Sequence, residues 1–333
     1  MSTLKFDENV LDFDKEAEVE RISANLRTLL SKTLRRRGLV VALSGGIDSS
    51  VTLALAVKAI GPERVLGLLM PERHSADETL DLSTKVADCF GVAKIHENIS
   101  HVLEAVGFYK RYDEAVQQVI PEYGAQWKSK IVISNVVDQG GINHFSIVAE
   151  NDAGEEVRQR LPLKAYLEIV AATNFKQRIR KMFEYYHADR LNYAVTGTPN
   201  RLEYDQGFFV KLGDGAADIK PIAHLYKSQV YALAKFLGVP EEICTRPPTT
   251  DTYSLSQGQD EFYFPLPYHK MDLCLYGKNN AVPAGEVAQV VGLTHEQVER
   301  VYADIDTKRN ATRYLHLPPI LMGKVPEITI DKA

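Results

Sequence analysis

The hydrophobic pattern opens with Leu39-Val40-Val41-Ala42-Leu43, an unbroken apolar run after Gly38. A short run of this kind, β-branched and flanked by turn residues, predicts a strand buried on both faces of a parallel sheet. Ser49 to Ile60 predicts a helix stopped by Gly61-Pro62, and Val65 to Met70 a second strand. Asp77 to Phe90 predicts a second helix with Leu80, Thr84, Ala87 and Phe90 inward, and Val92 to His96 a third strand. Strands alternating with helices imply right-handed crossovers in a doubly wound α/β sheet, mostly parallel, with helices on both faces.

Between Gln117 and Leu163 the rhythm changes. Ile131-Val132-Ile133-Ser134 and Phe145-Ser146-Ile147-Val148 are separated by Gly140-Gly141 and followed by Asn151-Asp152-Ala153-Gly154, which predicts a hairpin or small meander inserted in the frame. The frame resumes with a helix from Lys164 to Ala188. In it Phe175, Ile179, Met182, Phe183 and Tyr186 form one apolar stripe at i, i+4, i+7, i+8 and i+11. Tyr193 to Thr196 predicts another buried strand. Tyr226 to Leu237 predicts a helix closed by Gly238, with Val230, Leu233, Ala234 and Leu237 on one face, and the last sixty residues look helical. The expected organisation is residues 1–116 and 164–276 as two halves of one α/β domain, 117–163 as a β-rich insertion, and 277–333 as a helical C-terminal region.

Composition narrows the class. The 333 residues carry 39 Lys and Arg against 44 Asp and Glu, a net charge of −5, with 45% hydrophobic residues. That balance fits a globular enzyme and argues against a basic nucleic-acid binder. No apolar run approaches the roughly 18 residues of a membrane helix. Met1 to Glu20 is acidic and unlike a signal peptide, and Cys89, Cys244 and Cys274 form no CxxC pair, so a cytoplasmic location is expected. Glu286 to Val298 has helix-turn-helix spacing. Its would-be recognition helix carries Glu296 and Glu299, so two packed helices with a glycine turn are expected rather than DNA binding.

The chemistry concentrates in Ser44-Gly45-Gly46-Ile47-Asp48-Ser49-Ser50, directly between the first strand and its helix. Glycines let the backbone approach an anion, the helix N-terminus offers unpaired N–H groups, and the three serines add hydroxyls. Asp48 would repel a bare phosphate, which argues for a bridging Mg²⁺. Glu203, just beyond the strand at Tyr193, can supply a second oxygen. The seven residues are neither a Walker loop nor GxGxxG; they resemble the SGGxDSS signature of PP-loop ATP pyrophosphatases, of the adenine nucleotide alpha hydrolase-like fold. That resemblance implies ATP cleaved between its α and β phosphates.

Further along, Gly197-Thr198-Pro199-Asn200-Arg201-Leu202-Glu203, the stretch from Phe208 to Ile222 with Gly213-Asp214-Gly215, and Leu225 to Pro240 occur in an order similar to the NAD synthetase family. The resemblance spans about Leu39 to Val116 and Asn174 to Tyr276. It implies amidation of deamido-NAD by ammonia through an acyl adenylate, with AMP and pyrophosphate released. By the same resemblance Asp48 and Glu203 hold Mg²⁺; Ser44, Gly45, Gly46, Ile47, Asp48, Ser49, Ser50, Thr198, Lys227 and Thr249 contact ATP; and Arg178, Lys211 and Asp218 bind deamido-NAD. Asp48 and Lys227 carry the catalytic charge neutralisation, and a homodimer is implied.

Three features depart from the family. The insertion is extra. The C-terminal His-Lys pair is replaced by Arg313-Tyr314-Leu315-His316, and His269-Lys270 lies too early to inherit its role. Only 38 residues precede the first strand, so no amidase domain is expected there and a separate amidotransferase is a possible ammonia source. Another PP-loop enzyme, such as a GMP synthetase, is the alternative.

Overall fold

A computed structural model of the chain describes residues 6–75, 77–124, 126–133, 144–249 and 252–328. Ser134 and Gly140-Gly141 of the expected insertion, and Thr250-Asp251, lie outside the described residues.

The frame is a parallel sheet of four strands, β1 (Leu39–Leu43), β2 (Val65–Leu69), β3 (Ala93–His96) and, after the insertion, β7 (Ala194–Val195), in the order β3-β2-β1-β7. Alternation sends Leu39, Val41 and Leu43 to one face and Val40 to the other. The first face packs on helices Lys15–Thr28, Ile47–Ile60, Asp77–Cys89 and Lys227–Leu237; the second packs on Phe108–Gln117 and Leu163–Leu191. Two covered faces explain why β1 and β2 read as continuous apolar runs.

Strands β4 (Lys128–Ile133), β5 (Phe145–Glu150) and β6 (Glu156–Arg160) form an antiparallel meander in the order β4-β5-β6. Ile131, Ile147 and Ala149 share a hydrophobic cluster with Val40, Phe108 and Ile169, so the insertion rests on the frame instead of projecting from it. The C-terminal part is helical, with Tyr268–Asn279, Ala284–Val291 and His295–Thr312 around Met271, Leu275, Val287 and Val301. Gly292, at φ 68°, turns between the last two.

Two side-chain readings change. In helix Asp77–Cys89 the inward residues are Leu82, Ser83, Val86 and Ala87; Leu80, Thr84 and Phe90 are only partly buried. In helix Leu163–Leu191 the apolar stripe does not all face the core, for Met182 is 54% and Tyr186 59% exposed. Its buried face instead carries Ile169, Thr173, Lys176, Ile179, Lys181, Glu184 and His187. The helix flanks a cleft, and polar groups line it. No helix among the described residues is long and apolar enough to cross a membrane.

Candidate active site

The strand order places a topological switch beside β1, since β2 lies on one side and β7 on the other. Loops leaving adjacent strands there diverge and open a crevice. The loops concerned are residues 44–50 after β1 and 196–203 after β7.

The first loop bends through Gly45, whose φ is +68°; a Cβ there would lie 2.9 Å from the Thr79 carbonyl oxygen and 3.0 Å from Leu82 Cβ. Only glycine fits both the backbone angle and the space. Gly46 then caps helix Ile47–Ile60 without a side-chain cap, so the first amides remain available to an anion. Ser44 Oγ and Ser49 Oγ lie 3.3 Å apart and line the cleft. Ser50 does not: it is fully buried, and its hydroxyl donates to the Gly46 carbonyl at 2.9 Å.

Asp48 follows at the crevice floor. Its Oδ1 accepts from Asn200 Nδ2 at 3.0 Å and its Oδ2 accepts from the Lys227 ammonium. Asn200 is the N-cap of helix Arg201–Gln206. Its Oδ1 accepts from Glu203 N at 3.3 Å, while its own N donates to Glu203 Oε2 at 3.1 Å. This reciprocal capping box aims Glu203 toward Asp48. Lys227, buried at the start of its helix, is fixed by Asp272, which accepts from Lys227 N at 3.2 Å and Ser228 N at 2.6 Å. Burial, then the negative charge of Asp48, pushes the Glu203 carboxyl up to about 7. Burial opposes the charge on Lys227, but Asp48 and Glu203 outweigh it and hold the ammonium proton more firmly than usual.

Two crowded carboxylates are hard oxygen donors that a divalent cation would relieve. Among the described residues no group of three or more His, Cys, Asp or Glu could hold a metal. A cation at Asp48 and Glu203 would therefore take its other ligands from substrate oxygens or water, which suits Mg²⁺ more than a protein-caged metal.

The cleft extends from this floor to helix His295–Thr312, with a volume of about 1320 Å³. A single small ligand commonly fills a cavity of roughly 300–1,000 Å³, so the space accommodates more than one substrate. Thr198, Lys227 and Thr249 line it, as do Trp127, Ile133 and Phe145 of the insertion. Helix Leu163–Leu191 contributes two buried ion pairs. Lys176 Nζ lies 2.6 Å from Glu72 Oε1, and Lys181 Nζ 2.6 Å from Glu184 Oε2. Burial pushes the Glu184 and Asp214 carboxyls up.

Arg178, Lys211 and Asp218 are not among the lining residues of the cleft. Arg178 is exposed, and its Nε donates to the Lys211 carbonyl at 3.3 Å. The Lys211 ammonium donates to the carbonyls of Tyr314 at 2.6 Å and Leu317 at 3.2 Å. Asp218 accepts from Val195 N at 2.8 Å and from the Tyr185 hydroxyl at 3.3 Å. In the turn at 210–215, Asp214 accepts from Val210 N at 2.7 Å and lies at the cleft wall.

The NAD synthase family profile matches residues 18–125 and 118–312. The chain belongs to the NAD synthase family. It is 58% identical over 325 residues to the NH(3)-dependent NAD(+) synthetase of Rhizobium meliloti, covering 98% of this chain and 97% of that protein. It is 57% identical to the protein of the same name from Mesorhizobium japonicum, covering 96% of this chain and 100% of that one. Among solved structures, the NH3-dependent NAD synthetase of Campylobacter jejuni shares the fold, with a TM-score of 0.61 at 20% identity over 93% of this chain and 100% of that one.

The sequence pattern leaves several residues in and behind the cleft unread. Asn200 had a signal, because Asn-x-x-Glu before a helix marks a capping box. Lys176, Lys181 and Glu184 had only their polarity on a helix, which ordinarily marks a solvated face. Glu72 and Gln259 had none.

Proposed function

We propose that the protein joins ammonia to the nicotinate carboxylate of deamido-NAD at the expense of ATP, giving NAD, AMP and pyrophosphate. The observation that carries the reading is the Asp48, Glu203 and Lys227 cluster beneath the 44–49 loop. It unites an anion-binding helix start, a carboxylate pair and a fixed cation at one switch point.

In the first step a nicotinate carboxylate oxygen attacks the α-phosphorus of ATP, the bond to the β-phosphate bridge breaks, and pyrophosphate leaves. Ammonia then attacks the acyl carbon of the adenylate, AMP departs, and the surplus proton passes to water. The loop amides and Ser44 would hold the departing diphosphate, and Lys227 would offset its growing charge. Asp48 and Glu203 would hold Mg²⁺, which neutralises triphosphate oxygens when bound. Asn200 keeps Asp48 oriented through both steps. The lining at Trp127, Ile133, Phe145 and Tyr166 limits water around the acyl adenylate.

The test is to supply ATP, Mg²⁺, an ammonium salt and deamido-NAD, and to measure NAD and AMP together. Equal amounts of both are expected, none with XMP as acceptor, and far less with glutamine as nitrogen source unless a separate amidotransferase is added. Orthophosphate and ADP as products, or amidation of XMP, would refute the reading.

We also infer a homodimer. The family resemblance supports it, and Leu163 and Leu167 at one end of helix Leu163–Leu191, with Met182 and Tyr186 toward the other, are more than half exposed and available for contact. Light scattering behind size exclusion should give twice the 37.3 kDa chain mass. A Met182→Glu, Tyr186→Glu variant should give the single mass, and an unaltered chain that is already single removes the inference.

A further inference from the structure

Residues 252–262 run between the insertion and the carboxylate pair, and both ends of their contacts are built from specific hydrogen bonds. On the insertion side, Ser129 N of β4 donates to Ser254 Oγ at 2.8 Å and Leu255 N donates to the Ser129 carbonyl at 3.2 Å. The Gln257 side-chain amide donates to the Ile131 carbonyl. Lys130 Nζ donates to the Ser256 carbonyl at 3.2 Å and pairs with Glu261 at 2.6 Å. Ser129 is itself fixed, since its Oγ lies 2.8 Å from the Tyr112 hydroxyl and 3.0 Å from that of Tyr123. On the opposite side the segment opens the short helix Gln259–Phe262, and Gln259 Nε2 donates to Glu203 Oε1 at 3.1 Å. Gly258, one residue earlier, pairs with Thr249 as an antiparallel bridge.

Glu203 is thereby held at both oxygens, Oε2 by the backbone of Asn200 and Oε1 by Gln259. A neutral amide donor takes one lone pair of the carboxylate and leaves its charge intact. It fixes the direction of the remaining lone pairs without competing electrostatically for a cation, as outer partners of metal carboxylates do. The four-residue helix that carries Gln259 is held at its far end by Phe262 against Phe208 and Tyr253, and at its near end by the segment that β4 fastens.

Resting on the reaction proposed above, we infer that Gln259 is a positioning residue for Glu203, and that the β4–β6 insertion acts on the site by fastening the segment that carries it. The inserted sheet thus sets how tightly the active site takes up a divalent cation, in addition to walling the cleft.

The test uses the full-length protein with Mn²⁺ as a paramagnetic probe, titrated by electron paramagnetic resonance in the presence of a non-hydrolysable ATP analogue. Gln259→Leu should raise the Mn²⁺ dissociation constant by about 10-fold or more. The Mg²⁺ concentration for half-maximal NAD formation should rise in parallel, and saturating Mg²⁺ should restore turnover. Lys130→Met, which cuts two fastenings outside the cleft, should move both readouts in the same direction by a smaller factor. An unchanged Mn²⁺ constant in Gln259→Leu overturns the positioning role, as does a turnover loss that saturating Mg²⁺ leaves in place. A Lys130→Met protein identical to the unaltered chain overturns the part assigned to the insertion. Since Mn²⁺ binding needs no deamido-NAD, a failure of the amidation reaction itself shows separately, as absent NAD in the unaltered protein.

Discussion

An Asp48→Asn protein folds normally and releases AMP about 10²–10³-fold more slowly than the unaltered chain. The amide has the shape of the carboxylate and keeps an oxygen for one of the two donors that meet there, Asn200 Nδ2 and Lys227 Nζ. What disappears is a negative charge beside the Lys227 ammonium, at the place where a divalent cation would bind. Lys227 retains the nearby charge of Glu203, which offsets part of the cost of its buried ammonium, so the protein still folds but melts a few degrees lower. The loss should fall equally on kcat and kcat/KM, since the missing interaction grows as charge builds on the leaving diphosphate. Steady-state AMP release with a parallel thermal melt is the measurement. Turnover within a few-fold of the unaltered protein would remove Asp48 from the chemistry.

The second large effect is on stability. The Lys176 and Glu72 side chains are 2% and 0% exposed, and their pair is supported by the Tyr109 hydroxyl on Glu72 at 3.0 Å and by Lys176 on the Thr252 carbonyl at 3.1 Å. Lys176→Met removes the paired cation and leaves the Glu72 carboxylate fully buried with the Tyr109 hydroxyl still on it, a change that costs about 3–5 kcal/mol at neutral pH. Glu72→Gln combined with Lys176→Met should recover part of that loss, because no charge then remains. The pH dependence gives a second check. Burial raises the Glu72 carboxyl but Lys176 outweighs it, so in the intact protein it lies below its ordinary 4.5. The pair therefore stabilises fully above that value, and its contribution is lost as pH falls through the lowered one. Without Lys176 the buried carboxyl is raised instead, the folded state binds the extra proton, and acid favours the variant. The gap between the two urea midpoints should thus narrow from pH 7 toward pH 4. A constant gap, or one near zero at pH 7, refutes the assignment.

How far the chain can be read depends on what kind of surface each segment meets. β1, the 44–50 loop and its helix are legible because an apolar core covers both strand faces and because glycine, serine and aspartate at a helix start have few other uses. The meander at β4–β6 is legible from its turn residues. Helix Leu163–Leu191 is legible as a helix, but its inward face is not. Hydrophobic periodicity assumes an apolar partner, whereas this helix meets a cleft where Lys176 and Lys181 find Glu72 and Glu184. β7 is two residues long and is a strand only because β1 pairs with it. Within the site, Asp48 and Glu203 carry a local signature. Their connection through Asn200 spans 152 positions and exists only in the folded sheet. The tail contacts that occupy Lys211 are equally long-range, 103 and 106 positions away, and no local pattern announces them.

That separation along the chain has a bearing on biogenesis. The 44–50 turn emerges from the ribosome early, but β1 exposes an unpaired flank until β7 is synthesised some 150 residues later. Everything between must first collapse, and closing so distant a pairing is a slow event in any chain. The crevice is therefore completed late, after β7 and the later helix that carries Lys227 have followed. A polypeptide halted before residue 194 would possess a flawless turn and nothing across the crevice to answer it.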